Sequence, residues 1–299
     1  MKILVTGGCG FIGSNLSQRL VEEGHEVTII DNMHSGNEAN ISVFSSKVNL
    51  LRFDSGALWR AGEKFDAIFH LGVSSSSPMY KNDPILVSKA VADWTNILEY
   101  SRKFGSKIVF AATSSIYNGM TPPHREDMSV PVTDYYIEAR YFMERLAKLY
   151  SDLYSVKVVG LRYFSIYGPG EKYKGKYANL VTQFLWDIKA GRSPIVFGDG
   201  TQRRDFTYVD DVVEANLLAL KYPHSDIFNV GTGRSVSINE TVELLNKKMG
   251  TSIKPTYKAN TIKNYVKETL ADTSKAKSAL GFSAKVNLEE GIDHLLRFY

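Results

Sequence analysis

Short apolar runs alternate with stretches of helical periodicity along the first 165 residues of the chain. The apolar runs predict six strands, at residues 3–5, 27–30, 48–53, 65–71, 107–112 and 156–161. Apolar residues three and four positions apart predict helices over residues 11–21, 84–103 and 133–154. Strands that alternate with helices in this order predict an α/β fold with a doubly wound parallel sheet.

The alternation is less regular after residue 165. Helical periodicity predicts helices over residues 178–190, 209–221, 237–249 and 288–298, and apolar runs predict short strands at residues 195–197 and 227–230. Since no internal repeat or low-complexity linker separates the two halves, we expect them to pack closely. A ligand would then lie between them, beside the carboxyl ends of the parallel strands.

Residues 1–31, MKILVTGGCGFIGSNLSQRLVEEGHEVTIID, combine a strand, a glycine-rich turn, a helix and a second strand that ends in an acid. The glycines fit two spacings, G-x-G-x-x-G at Gly8, Gly10 and Gly13 and G-x-x-G-x-x-G at Gly7, Gly10 and Gly13. Such glycines let the backbone approach a pyrophosphate, to which the helix amino terminus offers free N–H groups. Asp31 would accept hydrogen bonds from ribose hydroxyls and repel a 2′-phosphate. Because residues 32–35 contain no arginine, the unit predicts NAD rather than NADP as the cofactor.

The composition is that of a globular chain large enough to bury a sizeable core, with 299 residues of which 43% are hydrophobic. The net charge of +4 includes no long basic run, so we expect no nucleic-acid partner. Cys9 is the only cysteine, which excludes an internal disulfide and indicates a reducing compartment. The histidines lack metal-ligand spacing, and no apolar stretch reaches the ~18 residues of a membrane span. Because the first strand starts at the amino terminus and leaves no room for a signal peptide, we expect a soluble cytoplasmic protein with no metal and no membrane partner.

Tyr136 and Arg140 lie four residues apart, on one face of the helix predicted over residues 133–154. A tyrosine is a poor base near neutrality because its hydroxyl ionises near pH ~10, but a fixed cation beside it favours the ionised form. Thr113, at the end of the fifth predicted strand, would hydrogen-bond the reacting oxygen. Together they predict a tyrosine base that removes a proton while the same carbon loses a hydride to the cofactor. The alternative is an ordinary helix surface.

Eight short segments follow one another in the order of a known protein family. They are TGGCGFIG at 6–13, Asp31-Asn32, His70-Leu71, Thr113-Ser114-Ser115-Ile116-Tyr117, Tyr136-x-x-x-Arg140 with Glu144, Leu161-Arg162-Tyr163-Phe164, GDGTQRRDF at 198–206 and Leu270-Ala271-Asp272. With these segments the chain resembles, from end to end, the extended short-chain dehydrogenases/reductases that act on nucleotide sugars. It is most similar to the UDP-glucose (UDP-galactose) 4-epimerases. The resemblance implies a Rossmann-type NAD-binding domain at residues 1–165, to which 209–231 returns, and a nucleotide-sugar-binding α/β domain at 166–299.

The resemblance implies a catalytic set of Thr113, Tyr136 and Arg140, with Arg140 in the place of the usual lysine. The NAD-binding residues that it implies are Gly7, Gly10, Phe11, Ile12, Gly13, Asp31, Asn32, Ser35, Gly36, Asp54, Ser55, Leu71, Gly72, Tyr136, Arg140 and Phe164. The substrate-binding residues that it implies are Ser74, Ser75, Thr113, Ser165, Asn179, Leu180, Val196, Phe197, Arg204 and Phe206. Asp54 would hold the adenine amino group or, as the alternative, cap the turn that follows it. Arg204 suits a bidentate phosphate contact, with a salt bridge to Asp205 as its alternative.

The activity implied by the resemblance is 4-epimerisation of a nucleotide-diphosphate sugar, with a UDP-hexose favoured, through a transient 4-keto sugar and bound NAD. Family members commonly pair as homodimers, through helices that correspond to residues 84–103 and 133–154. A 4,6-dehydratase or a decarboxylase shares the oxidation step. Ser114 and Ser115 stand where dehydratases carry an Asp-Glu pair, and Ser115 stands where decarboxylases usually carry a glutamate, which disfavours both. A net reductase and a non-catalytic NAD-binding sensor are further alternatives. The presence of both Thr113 and Tyr136 disfavours the sensor.

The chain departs from the family pattern at several places, one of which is Ala90-Val91, where the family often has an asparagine. Arg140 replaces a lysine and brings a larger planar group, and Ser165 replaces an asparagine. Residues 262–265 stand where many members carry an arginine for the diphosphate, and the sequence offers Lys263 or Lys267 as a replacement. These changes concern the identity of the substrate more than the class of reaction.

Overall fold

The computed structural model describes residues 1–260 and 266–299, which form short strands and longer helices. The strands, in chain order, are β1 (Lys2–Thr6), β2 (Glu26–Ile30), β3 (Val48–Leu51), β4 (Ala67–His70), β5 (Lys107–Thr113), β6 (Val158–Tyr163), β7 (Ile166–Tyr167), β8 (Ile195–Phe197), β9 (Arg203–Arg204), β10 (Thr207–Tyr208), β11 (Asp226–Val230), β12 (Val236–Ser237) and β13 (Thr256–Lys258). The α-helices are α1 (Phe11–Glu22), α2 (Ser77–Asn82), α3 (Leu86–Phe104), α4 (Tyr135–Tyr154), α5 (Leu180–Lys189), α6 (Val209–Lys221), α7 (Ile238–Met249), α8 (Ser274–Leu280) and α9 (Leu288–Phe298). Short 3₁₀-helices lie in the connections, at Glu38–Ile41, Ser45–Lys47, Ser55–Ala61, Ser114–Tyr117 and Lys172–Tyr177. No helix in these two ranges has both the length and the apolar composition that crossing a membrane requires.

Seven parallel strands form the central sheet, in the order β3–β2–β1–β4–β5–β6–β11. The chain starts in the middle of the sheet, builds outward to β3 and returns to β4 on the other side of β1. This reversal opens a crevice between the carboxyl ends of β1 and β4, which is where doubly wound sheets bind their ligands. The predicted doubly wound parallel sheet is therefore confirmed.

Helices cover both faces of the sheet, because its central strands are apolar on both sides. On one face α1 packs against α6, and Leu16 and Val212 from these helices belong to one buried cluster. On the other face α3 packs against α4, with Trp94 and Met143 in a second buried cluster. The indole N–H of Trp94 donates to the Met143 carbonyl oxygen at 2.9 Å, so a buried hydrogen bond joins α3 to α4 in addition to their packing.

A third apolar core holds the carboxyl-terminal part of the chain together. Its buried members include Phe184 of α5, Leu245 of α7 and Leu295 of α9. The chain also returns to the central sheet, since α6 packs on α1 and β11 pairs with β6. Three two-stranded pairs, β7–β10, β9–β12 and β8–β13, connect the remaining segments. The third core therefore stands beside the carboxyl edge of the sheet, where a ligand is expected.

Several element boundaries differ from those predicted. The third strand ends at Leu51 rather than at residue 53, and α4 begins at Tyr135 because Asp134 caps it, accepting a hydrogen bond from the Ile137 N–H at 2.9 Å. Part of the polar loop at 74–77 continues into α2, a separate short helix. β13 and α8 were not predicted, because β13 is exposed at all three residues and α8 is too short to show a period.

Candidate active site

A cleft with a volume of about 450 Å³ opens at the carboxyl edge of the sheet. It is lined by most of the residues that the sequence predicted for the site. These are Gly7, Phe11, Ile12, Gly13, Asp31, Asn32, Ser35, Gly36, Asp54, Ser55, Leu71, Gly72, Ser74, Ser75, Thr113, Tyr136, Arg140, Ser165, Asn179 and Arg204. Residues far apart in the chain thus meet in one cavity at the predicted edge.

The glycine-rich turn between β1 and α1 is packed so closely that side chains do not fit. Gly7 has a φ of +71°, and a Cβ added to Gly13 would lie 2.0 Å from the Gly7 carbonyl oxygen. The Gly10 N–H donates to that same oxygen at 3.0 Å, and Gly10 is the N-cap of α1. The N–H groups of the first helical turn have no acceptor in a preceding turn. Phe11 and Ile12 bring this turn to the cleft, where it offers a binding position for an anion such as a pyrophosphate.

We expect Gly13→Ala to lose most of its affinity for NAD, because the added Cβ overlaps the Gly7 oxygen and forces the turn open. The measurement is a calorimetric titration with NAD. Gly24→Ala is the matched control: no atom lies within 4 Å of its added Cβ, although its φ of +80° costs about 1–2 kcal/mol of stability. Equal NAD affinities of the two variants would show that the close packing at Gly13 is unimportant.

Asp31 directly follows β2 and lies against the glycine-rich turn. Its carboxylate accepts hydrogen bonds from the N–H of Cys9 at 2.9 Å and the N–H of Met33 at 2.8 Å. Burial raises the pKa of Asp31, and these two amides oppose that shift. A Cβ added to Gly36 would lie 2.8 Å from the carboxylate, so the backbone passes Asp31 without room for a side chain. This arrangement leaves a carboxylate in the cleft where a ribose would bring its hydroxyls.

Asp54 is held in the cleft by two polar neighbours. It accepts a hydrogen bond from Asn32 Nδ2 at 2.7 Å and forms a salt bridge with Lys89 Nζ at 3.0 Å. These contacts lower the pKa of the Asp54 carboxyl. Asp54 precedes the 3₁₀-helix Ser55–Ala61, but its side chain makes no capping hydrogen bond there. The capping alternative for Asp54 is therefore wrong, because Asn32 and Lys89 engage the carboxylate instead.

Thr113 ends β5 and begins a run of three hydroxyl side chains along the cleft. Its Oγ1 accepts a hydrogen bond from the Ser115 N–H at 3.1 Å, which orients the side chain and starts the 3₁₀-helix Ser114–Tyr117. Ser114 and Ser115 also line the cleft. This segment therefore offers hydroxyl groups, and no carboxylate, to a ligand.

Tyr136 lies in the first turn of α4 and is 8% exposed. Its ring packs 5.6 Å from the ring of Tyr80, measured between centroids. The start of α4 is joined to the start of α2, because the Asp134 carboxylate that caps α4 also accepts a hydrogen bond from Ser77 Oγ at 2.5 Å. The phenol is thus held by a capped helix end and an aromatic neighbour at the wall of the cleft.

Arg140 lies one turn beyond Tyr136 and is 3% exposed. Its guanidinium is 5.2 Å from the centroid of the Tyr136 ring. Nη1 donates to the Ala111 carbonyl oxygen at 2.5 Å, and Nη2 donates to the Ser74 carbonyl oxygen at 3.0 Å. Its buried Nε has no hydrogen-bond partner among the residues that the structure describes. A buried cation with an unpaired N–H suits an incoming hydroxyl group, which the nicotinamide ribose of NAD would provide.

His70, the last residue of β4, is a buried neutral histidine at the base of the cleft. Its Nδ1 lies 2.8 Å from Thr6 Oγ1, and its ring stacks on that of Trp94 with centroids 5.4 Å apart. Burial, with a smaller contribution from the positive charge of Arg140, lowers the pKa of His70 to about 3. His70 therefore remains uncharged near neutral pH.

His70 is expected to make the protein less stable as the pH falls. The unfolded chain takes up this proton near pH ~6.5 and the folded protein only near pH 3, so the unfolded state binds more protons between these values. The contribution of His70 to the free energy of unfolding then falls by up to about 1.4 kcal/mol per pH unit below pH ~6.5. The measurement is urea unfolding at several pH values. The His70→Gln variant should lose the decrease in unfolding free energy that His70 causes below pH ~6.5. The His34→Gln variant, changed at an exposed site, should retain that decrease. A wild-type pH dependence in H70Q would contradict the expectation.

Arg162 and Glu144 form a buried ion pair behind the segment that carries Thr113. Arg162 Nε and Nη2 donate to the two Glu144 carboxylate oxygens at 3.0 and 2.7 Å, with the two side chains 4% and 5% exposed. Arg162 Nη1 also donates to Tyr117 Oη at 2.6 Å and to the Glu126 carbonyl oxygen at 3.2 Å. Because Tyr117 ends the 3₁₀-helix that follows Thr113, the ion pair supports the hydroxyl-bearing wall of the cleft.

Some predicted site residues lie outside the lining of the cleft. They are Gly10, Phe164, Leu180, Val196, Phe197 and Phe206. Val196 and Phe206 are buried in the core that α5, α7 and α9 share, and Phe164 is fully buried beside Tyr117. Phe197 is 39% exposed. Their assignment to ligands stays a prediction.

Three residues that the resemblance assigns to the substrate, Ser165, Asn179 and Arg204, line the cleft. Ser165 has a φ of +34°, a left-handed conformation that is uncommon for residues other than glycine and asparagine. Asn179 caps α5 with its side chain. The carboxylate of Asp205, the alternative partner of Arg204, is fully buried and accepts hydrogen bonds from backbone amides, including that of Thr232 at 2.8 Å.

Two lysines were considered as replacements for an arginine, and of these only Lys267 is described; it is not among the described residues that line the cleft. Lys263 lies outside the described residues. Lys267 is exposed, and its carbonyl oxygen accepts a hydrogen bond from the Arg203 N–H at 2.8 Å.

Other residues in the lining were not predicted from the sequence. They include Tyr80, Lys89, Asp93, Lys174 and Tyr177. Lys89 and Asp93 are one helical turn apart on α3 and form a salt bridge of 3.3 Å, and that spacing was an available signal. The other three belong to segments without a motif, so only the fold brings them to the site.

The known proteins that resemble this chain belong to one family but are named for more than one activity. The family model described as "NAD dependent epimerase/dehydratase family" matches residues 3–231. The chain is 32% identical to the UDP-glucuronate 4-epimerase of Thermodesulfobacterium geofontis, over 97% of this chain and 93% of that protein. It is 30% identical to the UDP-N-acetyl-alpha-D-glucosaminuronate decarboxylase of Bacillus cytotoxicus, over 100% of this chain and 96% of that protein. The crystal structure of UDP-glucose 4-epimerase from Thermotoga maritima with UDP-glucose superposes with a TM-score of 0.93 at 32% identity, covering 100% of this chain and 98% of that one.

Proposed function

Since the chain belongs to the NAD dependent epimerase/dehydratase family, we propose that it is a 4-epimerase that interconverts UDP-glucose and UDP-galactose or their N-acetyl forms. NAD is its cofactor. Epimerases and decarboxylases both occur among its relatives, so the choice of reaction depends on the site itself.

One observation carries the choice of epimerisation, namely the distribution of carboxylates along the cleft. Among the described residues that line it, the carboxylates are Asp31, Asp54 and Asp93. All three lie on the side of the cleft that β2, β3 and α3 form. Two of them, Asp54 and Asp93, form salt bridges with Lys89. The side of Thr113 and Tyr136 carries hydroxyl groups. Elimination of water needs an additional acid and base near the sugar, whereas removal and return of one hydride at one carbon needs a single group that exchanges a proton.

Tyr136 is the group that we assign to this proton exchange. Its phenolic oxygen accepts the proton of the sugar hydroxyl, and Thr113 Oγ1 hydrogen-bonds the same sugar oxygen and keeps it in line. The guanidinium of Arg140 lies 5.2 Å from the centroid of the Tyr136 ring and holds a positive charge beside the group that exchanges the proton. Tyr136 returns the proton to the sugar oxygen after the 4-keto sugar has presented its other face.

The residues around the cofactor position fit NAD in three respects. The glycine-rich turn leaves space for the pyrophosphate, Asp31 is placed for ribose hydroxyls, and Arg140 Nε lacks a partner. When bound, NAD supplies the hydride acceptor and donor for the sugar carbon. Since each catalytic cycle restores NAD, the proposed enzyme needs no added cofactor for turnover if NAD stays bound.

The test is an NMR time course with UDP-glucose, UDP-galactose, their N-acetyl forms and UDP-glucuronate, without added cofactor. The proposal predicts interconversion at C4 to a fixed ratio, approached from either sugar. Release of carbon dioxide from UDP-glucuronate, or loss of water from a UDP-hexose, would replace the proposal by a decarboxylase or a dehydratase. NAD consumption in proportion to product would indicate a net reductase.

We also propose that the protein is a cytoplasmic homodimer in which α3 and α4 pair with the same helices of a second copy. α3 and α4 pack against each other, and α4 exposes Leu149, Leu153 and Tyr154 to 52%, 67% and 50%. Apolar side chains at this spacing on one helix suit a helix–helix interface. A monomeric mass in solution at micromolar concentration would contradict the pairing.

A further inference from the structure

Lys174 is a cleft residue with no function in the reaction assigned above. It lies in the 3₁₀-helix Lys172–Tyr177, which precedes α5, and it lines the cleft together with Tyr177 and Asn179. Its Nζ is 5.5 Å from the centroid of the Phe11 ring. Because Phe11 is the first residue of α1, the ammonium group lies near the start of that helix, where the glycine-rich turn offers an anion its free N–H groups.

The loop that carries Lys174 is tied to the cofactor side of the cleft. Asn15 of α1 donates a hydrogen bond to the Pro169 carbonyl oxygen at 3.0 Å, and Asn40 donates to the Gly170 carbonyl oxygen at 3.4 Å. Both contacts join residues more than a hundred positions apart in the chain. They place the loop across the amino-terminal end of α1, so the position of Lys174 is set by the fold.

The other side of the same loop is tied to α5 through a buried acid. The Glu171 carboxylate is 0% exposed and accepts hydrogen bonds from the Asn179 N–H at 2.7 Å and from the Thr182 hydroxyl. Glu171 is also the carboxylate whose charge acts on Lys174. Its oxygens already serve the backbone and a hydroxyl, and no salt bridge within 4.0 Å joins it to Lys174 in the described structure.

Lys174 therefore differs from the other lysine of the cleft. Lys89 is bound to Asp54 and Asp93 at 3.0 and 3.3 Å, whereas none of the ion pairs found among residues 1–260 and 266–299 includes Lys174. Burial lowers the pKa of Lys174 by more than the charge of Glu171 raises it, so the ammonium group is only partly compensated by that carboxylate. A half-buried ammonium group near the amino terminus of a helix favours the binding of a negatively charged ligand.

We propose that Lys174 binds a diphosphate group in this cleft. The inference rests on the proposed function, which brings two such groups to the cleft, the pyrophosphate of NAD and the diphosphate of a nucleotide sugar. Lys174 lies beside Phe11 at the turn expected to hold the first, and it lines the same cleft as Asn179 and Arg204, which the resemblance implies for the second. The chemistry is the same in both cases, a lysine ammonium bound to phosphate oxygens.

Lys174→Gln removes the charge and keeps much of the stem that lies over Phe11. The matched control is Lys172→Gln, an exposed lysine of the same 3₁₀-helix. The probes are UDP and uridine, titrated by calorimetry into the holoenzyme, and the affinity for NAD. Uridine lacks the diphosphate and reports on the rest of the nucleotide site.

A loss on the order of tenfold or more in UDP affinity, with uridine unchanged, assigns Lys174 to the diphosphate of the nucleotide sugar. A similar loss in NAD affinity assigns it to the cofactor. In either case Lys174→Arg restores binding, since it keeps the charge, and K172Q behaves as wild type. UDP and NAD affinities of K174Q equal to those of K172Q overturn the proposal.

These measurements separate the two proposals, because none of them requires turnover. If wild-type protein binds UDP and NAD but converts none of the UDP-sugars, the proposed function fails, and the effect of K174Q still decides the role of Lys174. If wild-type protein is an epimerase and K174Q binds both probes normally, the inference about Lys174 fails alone. Absence of UDP and NAD binding in wild type overturns both.

Discussion

Tyr136→Phe is expected to abolish hydride transfer while leaving NAD bound. The phenol of Tyr136 is the one ionisable group that we place beside Thr113 at the reacting carbon, and removal of a general acid–base group costs about 10²–10⁴-fold in rate. The ring itself remains, so its packing against Tyr80 and the neighbouring guanidinium is kept. The measurement is the initial rate of C4 interconversion by NMR, together with the NAD affinity of the variant.

The control for Y136F is the adjacent residue of the same helix. Tyr135 is 52% exposed, and Tyr135→Phe should retain wild-type turnover and NAD binding. If Y136F turns over like Y135F, the assignment of the base is wrong. If Y136F loses NAD as well as turnover, Tyr136 acts mainly in binding the cofactor, and the catalytic argument loses its support.

Glu144→Gln is expected to destabilise the fold by about 3–5 kcal/mol, because it leaves the Arg162 guanidinium buried without its counter-charge. The pair is 4% and 5% exposed, so water does not replace the lost carboxylate. The effect should reach the site through Tyr117, which Arg162 also contacts. Urea unfolding measures the free energy, and the midpoint of thermal unfolding gives an independent check.

An exposed ion pair on the same helix provides the comparison. Lys148 and Asp152 are 2.8 Å apart with side chains 76% and 54% exposed, and Lys148→Ala should change stability by less than about 1 kcal/mol. Replacing both Glu144 and Arg162 by apolar residues of similar volume should be less harmful than E144Q, since no buried charge is then left alone. A loss in E144Q no larger than that in K148A would show that the buried pair contributes little.

The family resemblance and the parallel sheet were predicted correctly because both were inferred from short segments whose residues are neighbours in the chain. The glycine-rich turn, α1, β2 and Asp31 follow one another within residues 1–31, and each step is determined by neighbours in the chain. Thr113 and Tyr136 are less local, since one ends a strand and the other begins a helix. Their meeting in the cleft follows from the topology of the sheet, which places the carboxyl ends of all its strands at one edge.

What the sequence did not provide depends on contacts between distant segments. Lys174 has no periodic pattern around it, and its place in the cleft depends on the hydrogen bond from Asn15 to residue 169. Val196 and Phe206 are buried among apolar residues of the third core, and their contact with the substrate, which the resemblance implies, stays a prediction. The sequence does not distinguish an apolar residue that packs in a core from one that packs against a ligand.

The position of Asp31 has a consequence for how this enzyme evolves. The Asp31 carboxylate, which we expect to select NAD, also accepts a hydrogen bond from the Cys9 N–H within the glycine-rich turn, and a Cβ at Gly36 would lie 2.8 Å from it. Replacing Asp31 to admit a 2′-phosphate therefore removes a support of the turn, while an arginine at position 36 fits only after the carboxylate has gone. We therefore expect the two changes to depend on each other, so that either one alone lowers cofactor affinity or stability. The cofactor preference expected for this chain is thus coupled to the architecture of the glycine-rich turn.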